Sequence, residues 1–446
     1  MSGGDTGHAP HTVVVGAGAA GCSAAYRLRQ LGHRVTVIEA QPDIGGRTRS
    51  THLDGFVIDT GAAYIASFYE RTLALIHELG REDELRRMRA PAGFHDGGKT
   101  HLVFTDRASS YLRSGIVGWR DKLRVARLPF RRDVLGAPGV FDLDGLAGAD
   151  TGESLGDWGR RSCGDRAYVH TLAPPVESAF CVPADDLASV FFRAGLRHGR
   201  GARQFCLASG MGSLCDWLLE GADPRTGTPV AALHAGRDEV QAELVSGESI
   251  SADSAVVATE ATVAAALLGP ALPGFARESL AASPHACSVH VALAFDRDPW
   301  PDVRLGVAVP VGAGRGGSIA CVSRQSRKAP GLVPHGAELV DVFLTGEASR
   351  TLDDEAVTRM ARSGVARLLG EFRQAPMFEH VYRREAGLAL PCPGHYRTMR
   401  AVLESVPPRV RLAGDYLTHS GVEAAVVSGE VAAVSLATGG GRPGSM

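Results

Sequence analysis

The chain has 446 residues, 22% of them charged, and a formal net charge of −2; it is long enough for two cores and carries no positive excess that would draw nucleic acid. No apolar run reaches the length of a membrane span, and the polar start lacks the charged-then-apolar plan of a secretory signal, so a cytoplasmic location is expected. The eight cysteines stand far apart, with no C-x-x-C pair and no His/Cys cluster at ligand spacing, which predicts reduced core thiols and no metal site.

Val13 to Val15 is a short β-branched run stopped by Gly16, the pattern of a buried parallel strand. Gly16, Gly18 and Gly21 then form G-x-G-x-x-G. The first glycine permits a tight turn, the second lets backbone approach a pyrophosphate, and the third lets the next helix pack closely on the strand. That helix is predicted from Ala19 to Leu31, with Ala20, Ala24, Leu28 and Leu31 on one face, and its N-terminus offers unpaired N–H groups to a diphosphate. Val35 to Ile38 reads as a second strand, and Glu39 closes it eighteen residues after Gly21. A carboxylate there accepts hydrogen bonds from a ribose diol and repels a 2′-phosphate. Gly312, Gly314 and Gly317 repeat the glycine spacing, but the residues after them, Ser318 to Ser323, read as a strand. A hairpin loop is expected there, not a second nucleotide site.

The residues after Glu39, "AQPDIGGRTRS", resemble the second FAD signature of the superfamily of flavin amine oxidases, protoporphyrinogen oxidases and phytoene desaturases. The resemblance implies that Gly45, Gly46 and Arg47 lie along the FAD diphosphate, with Ala40 as well as Glu39 among the cofactor's contacts. "FVIDTGAAYI", Phe56 to Ile65, resembles the next family segment and implies that Gly61 and Ala62 lie against the flavin. "RVRLAGDYLTHSGVEAAVVSGEVAA", Arg409 to Ala433, resembles the closing motif. It implies that Gly414 and Asp415 meet the ribityl or diphosphate region, and that a helix starting near Val422 points its N-terminus at flavin N1 and the C2 carbonyl, where reduction places negative charge. In the middle portion, the backbone near Val230 is implied to meet the adenine.

The order of these segments divides the chain. A discontinuous α/β, Rossmann-like FAD-binding domain is expected from residues 10–95, 205–285 and 405–440. An inserted α+β substrate domain with a mixed sheet is expected from 96–204 and 286–404, and disordered tails at 1–9 and 441–446. The stretches "VHVALAFD", "RLGVAVPV", "SIACVSRQ", "AELVDVFLTG" and "EHVYRREAGLAL" read as strands and Asp353 to Phe372 as a helix.

Within the superfamily the chain departs from simple amine oxidases. "VHVALAFDRDPW", Val289 to Trp300, has His290 where those enzymes carry a lysine water-linked to flavin N5, and the two positions for flanking aromatics fall at Gly387 and Val422. The position of the covalent-flavin cysteine falls at Ala386, so noncovalent FAD is expected. "ALPCPGHYRTM" and "GDYL" look closer to the protoporphyrinogen oxidase and desaturase side, which implies hydride removal from a bulky, largely apolar or nitrogen-containing small molecule, with O2 or another acceptor. A flavin amine oxidase is the alternative enzyme. A non-redox flavin-dependent isomerase and a binding protein like the GDP-dissociation inhibitors are the alternatives from other classes. His290 lies on the small-residue face of its strand with Ser288, Ala292 and Ala294, either as a proton acceptor or as part of the cavity wall. Finally, residues 107–132 carry eight basic side chains and one acid, interleaved with Leu112, Ile116, Trp119, Leu123 and Leu128. The segment reads as a solvated helical pair packed on the substrate domain or as a peripheral membrane contact, and the first reading is preferred.

Overall fold

β-Branched side chains suit a strand covered on both faces, and β1 (His11–Val15) is buried along its whole length. In the computed structural model, which describes residues 9–104, 106–314 and 316–439, β1 is an inner strand of a four-stranded parallel sheet. Its order is β2 (Arg34–Ile38), β1, Ser254–Val257 and Val410–Leu412. The two-residue period sorts the side chains. Val14, Val37 and Val256 join one core with α1 (Ala19–Gln30) and the closing helix Val422–Ala437. Val13, Val15, Ala255 and Val257 join another, with the antiparallel strands Val230–Ala235, Val240–Leu244 and Ser249–Ala252 and the helix Ala261–Leu268. The expected Rossmann-like unit, assembled from distant stretches of chain, is thus the fold found.

The closing helix meets α1 at backbone distance: a Cβ on Gly429 would stand 2.2 Å from the Ala20 carbonyl oxygen. Only glycine fits, and it is this contact that carries the C-terminal residues onto the nucleotide-binding unit.

A seven-stranded mixed sheet lies beyond, in the order Phe378–Ala389, His285–Phe295, Glu338–Leu344, Ile319–Arg324, Val307–Pro310, Ala92–His95 and Thr100–Val103. Ala92–His95, within the stretch 10–95, pairs here parallel to Val307–Pro310. On one face Val289, Val291, Leu293 and Phe295 pack against the helix Asp354–Leu369. On the other, Ala292 and Ala294 meet Phe56 and Ile58 of β4 (Phe56–Asp59), which pairs with β3 (Ser50–Leu53). The helices from Trp119 to His198 surround a separate core that includes Trp158, Tyr168 and Phe191. Val307–Pro310 and Ile319–Arg324 pair antiparallel, so Gly312, Gly314 and Gly317 sit in a hairpin connection as expected; Arg315 lies outside the described residues. The tails 1–9 and 441–446 also lie outside them, apart from Ala9. No helix among the described residues is long and apolar enough to cross a membrane.

Candidate active site: a nucleotide cradle beneath a mixed sheet

The cradle begins where β1 stops. Gly16 has φ +101°, and a Cβ on it would stand 2.6 Å from the Ala258 carbonyl oxygen; one on Gly21 would stand 1.8 Å from the Gly16 carbonyl oxygen. Gly18 differs, because a Cβ there would meet nothing within 4 Å. Two glycines therefore make the turn and let α1 close on the strand, while the third leaves an open approach to backbone. α1 starts at the buried pair Ala19 and Ala20 with no side-chain cap and no acid in its first turn. Its first N–H groups are available to an anion. Gly45 donates its N–H to the Ala17 carbonyl at 2.8 Å, and Gly46 lies against the Gly18 backbone. Glu39 accepts from Ala17 N at 2.7 Å through Oε2 and from Gln41 N at 2.9 Å through Oε1, and Ala40 beside it is exposed. Val230 follows a segment that extends this edge: Arg225 bridges Ile38 in parallel, and Thr228 N donates to the Glu39 carbonyl.

Arg47 and Asp415, 368 residues apart, form a bidentate pair with N···O distances of 3.1 and 2.8 Å. Burial opposes the Arg47 charge, but the Asp415 and Glu260 carboxylates outweigh it and hold the pKa above its ordinary value. The Arg47 carbonyl accepts from Ala62 N at 3.0 Å, and a Cβ on Gly61 would stand 2.1 Å from the same oxygen. Gly414 packs against the Tyr416 ring, and its N–H donates to Ser428 Oγ. Val422 opens the closing helix, which has no side-chain cap. Glu423, one residue on, instead accepts from Arg71 N, Thr72 N and Thr72 Oγ1 at the start of α2 (Glu70–Glu78). This carboxylate caps a different helix and leaves its own N-terminus open. The structure so brings together the three glycine-rich stretches, Glu39, Arg47, Asp415 and two uncapped helix N-termini. That set matches a dinucleotide with a diphosphate and a ring system that gains negative charge on reduction, and the residues present fit FAD.

Over the cradle, the sheet face carries His290, 1% exposed, between the rings of Phe343 at 4.7 Å and Tyr382 at 5.4 Å. His290 Nε2 lies 2.8 Å from Asp341 Oδ1, and Gln325 donates to the other oxygen of the same carboxylate. His290 Nδ1 is buried with no partner among the described residues. The expected small-residue face is present, but β3 and β4 cover much of it. Gly387, where the resemblance led us to look for a flanking aromatic, has no room for a larger side chain, since a Cβ there would stand 2.5 Å from Ser288 Cβ. Aromatic groups reach the N-terminus of the closing helix from elsewhere: the Tyr69 hydroxyl is 3.8 Å and the Phe141 ring 4.0 Å from where a Cβ on Gly421 would be. His419 stacks on Phe141 at 5.1 Å, and burial pushes its pKa down to about 4. Sequence reasoning missed these groups: Tyr69 and Phe141 belong to no motif, His419 lies within the closing motif with no role implied for it there, and only folding brings the three together. Within 107–132, Ile116 and Leu128 are buried, whereas Leu112, Trp119, Leu123 and Phe130 are exposed beside the basic side chains.

The family description "Flavin containing amine oxidoreductase" matches residues 19–437. A coproporphyrinogen III oxidase of Propionibacterium freudenreichii subsp. freudenreichii is 26% identical over 425 residues, covering 78% of this chain and 75% of that protein. A phytoene dehydrogenase of Streptomyces griseus is 30% identical over 333 residues, covering 67% of this chain and 62% of that protein. Among solved structures, a cyclohexylamine oxidase from Brevibacterium oxydans IH-35A superposes with a TM-score of 0.76 at 17% identity, over 97% of this chain and 99% of that one. The chain belongs to the flavin containing amine oxidoreductase family. It is an FAD-dependent oxidoreductase, with porphyrinogen oxidases and a desaturase among its relatives.

Proposed function

We propose that the protein removes a hydride from a bulky, largely apolar or nitrogen-containing small molecule, at a C–H beside nitrogen or in a conjugatable carbon skeleton, with O2 or another acceptor restoring the oxidised cofactor. The observation that carries this reading is the closed position at Gly387, which leaves no space for the flanking aromatic of an alkylamine site. The likeness to a coproporphyrinogen oxidase and a phytoene dehydrogenase over most of the chain supports it. FAD, when bound, supplies the two-electron acceptor. The chain's own residues bind and orient: Glu39 receives ribose hydroxyls, the α1 N-terminus with Gly45, Gly46 and Arg47 receives the diphosphate, and the open N-terminus at Val422 favours negative charge in front of it. His290, enclosed and oriented by Asp341, is the group on the sheet face proposed to hold, at Nδ1, the proton released as hydride leaves.

The nucleotide-binding part is proposed to comprise 10–95, 205–285 and 405–440, and the substrate part 96–204 and 286–404. Residues 107–132 are proposed as a peripheral membrane contact, because their exposed apolar side chains stand among basic ones. The reaction is tested by anaerobic mixing of the holoprotein with porphyrinogens, polyenes, indoles and amines while flavin absorbance is followed. Bleaching by a porphyrinogen or polyene, with a product two electrons more oxidised, is expected; bleaching by simple alkylamines alone would replace this reading with an amine oxidase.

A further inference from the structure

Arg384 lies in the strand Phe378–Ala389, opposite Ser288 on the face that looks toward the cradle. One of its terminal nitrogens donates to Thr60 Oγ1 at 3.1 Å, and that hydroxyl in turn donates to the Arg49 carbonyl. Its Nε is buried with no partner among the described residues. Thr60 immediately precedes Gly61, so this guanidinium stands at the seam between the cradle and the sheet.

Three arginines converge there, and only two are matched. Arg47 is paired with Asp415 and Arg49 with Asp43, each at 2.8 Å. Among the described residues no carboxylate lies within ion-pair distance of Arg384. Burial and the nearby charges of Arg49 and Arg47 push its pKa below the ordinary value, with Glu260 alone opposing. A partly buried guanidinium held by a single neutral hydroxyl, beside two like charges, is costly to keep unless an anion completes the arrangement. Its neighbour Arg383 shows the contrast: on the opposite face of the same strand it bonds Asp354 and the Ser349 and Leu352 carbonyls.

We infer that Arg384 is an anion-binding arm of the site, taking an anionic oxygen group at the seam beside Thr60. The inference rests on the FAD reading above and adds a specificity for charge that the glycine motifs do not contain. The oxygen comes from the dinucleotide or from a carboxylate on the substrate, and the two sources separate in one experiment. Apoprotein of the wild type, R384K, R384M and R383M is titrated with FAD by quenching of flavin fluorescence. Each holoprotein is then titrated with benzoate by its perturbation of flavin absorbance. R384M is expected to lose about tenfold or more in one titration, the value of a charge-assisted hydrogen bond, while R384K keeps most of the affinity. Loss in the FAD titration assigns the oxygen to the cofactor; loss in the benzoate titration alone assigns it to the substrate. Apo R384M should melt at or above the wild type, since it removes an unpaired charge, whereas R383M should melt lower.

R384M matching the wild type in both titrations would overturn the inference. So would an R384M apoprotein that melts as low as R383M, for Arg384 would then be a structural group. Wild-type protein that takes up no FAD would instead overturn the reading on which the inference rests.

Discussion

Glu39 does two things at once. Its oxygens fix the Ala17 and Gln41 amides that shape the turn, and their remaining lone pairs are free for a ribose diol. Glu39→Arg should therefore weaken FAD binding by about 2 to 4 kcal/mol, the cost of leaving two hydroxyls opposite a wrong charge. Unchanged FAD occupancy after dialysis would remove Glu39 from the site. His290 poses the sharper question, because an enclosed histidine held by a buried carboxylate is either a relay or a wall. If it holds the departing proton, His290→Ala leaves FAD bound, slows anaerobic flavin reduction about a hundredfold and alters its pH dependence. A reduction rate and pH profile equal to the wild type would make the His290–Asp341 pair purely structural.

The N-termini of α1 and the closing helix are proposed to face the cofactor end-on, and the packing of the two helices follows from small residues. At Gly429 even a methyl group would collide with the Ala20 carbonyl, so Gly429→Ala must force α1 and the closing helix apart. A loss of about 1 to 3 kcal/mol in urea unfolding is expected, with weaker FAD retention because both N-termini shift together; wild-type stability would show that the contact relaxes freely. These elements also separate what the sequence discloses from what it conceals. β1, α1 and β2 were legible because local pattern and glycine chemistry agree over a short stretch, and the hairpin at Gly312 because a strand follows it. The closing helix was legible only through family likeness. The cap that Glu423 provides to α2 spans some 350 residues and has no local signature. Arg384 was equally silent: its meaning depends on register across the sheet, which places it above Thr60, and the same residue type next to it turns outward.

The assembled molecule buries more titratable groups than its near-neutral charge suggests. Burial holds both His395 and His419 at about 4, against an ordinary 6.5. Both are neutral in the folded protein, whereas the unfolded chain takes up protons as pH falls through 6.5. The stability present above that pH is thus lost between about 6.5 and 4, by on the order of 3 kcal/mol per histidine, and the loss levels off below 4. Urea midpoints measured from pH 7 to pH 4 should fall steeply, and His419→Phe should flatten the slope; a flat wild-type profile would mean that these histidines protonate in place. The holoprotein should also sediment with anionic vesicles in low salt, and a Trp119→Ala, Phe130→Ala double variant should not. Equal recovery of both proteins in the supernatant would return residues 107–132 to the role of a solvated helical surface.

This fold and cradle are proposed to hold FAD as a noncovalent redox cofactor. The most direct measurement is the fate of the flavin when the purified protein is precipitated with acid. A yellow protein is expected, with its FAD passing wholly into the supernatant, since Ala386 offers no sulfur for a tether; flavin that stays with the precipitated chain, or a colourless protein that FAD cannot reconstitute, would contradict noncovalent FAD binding.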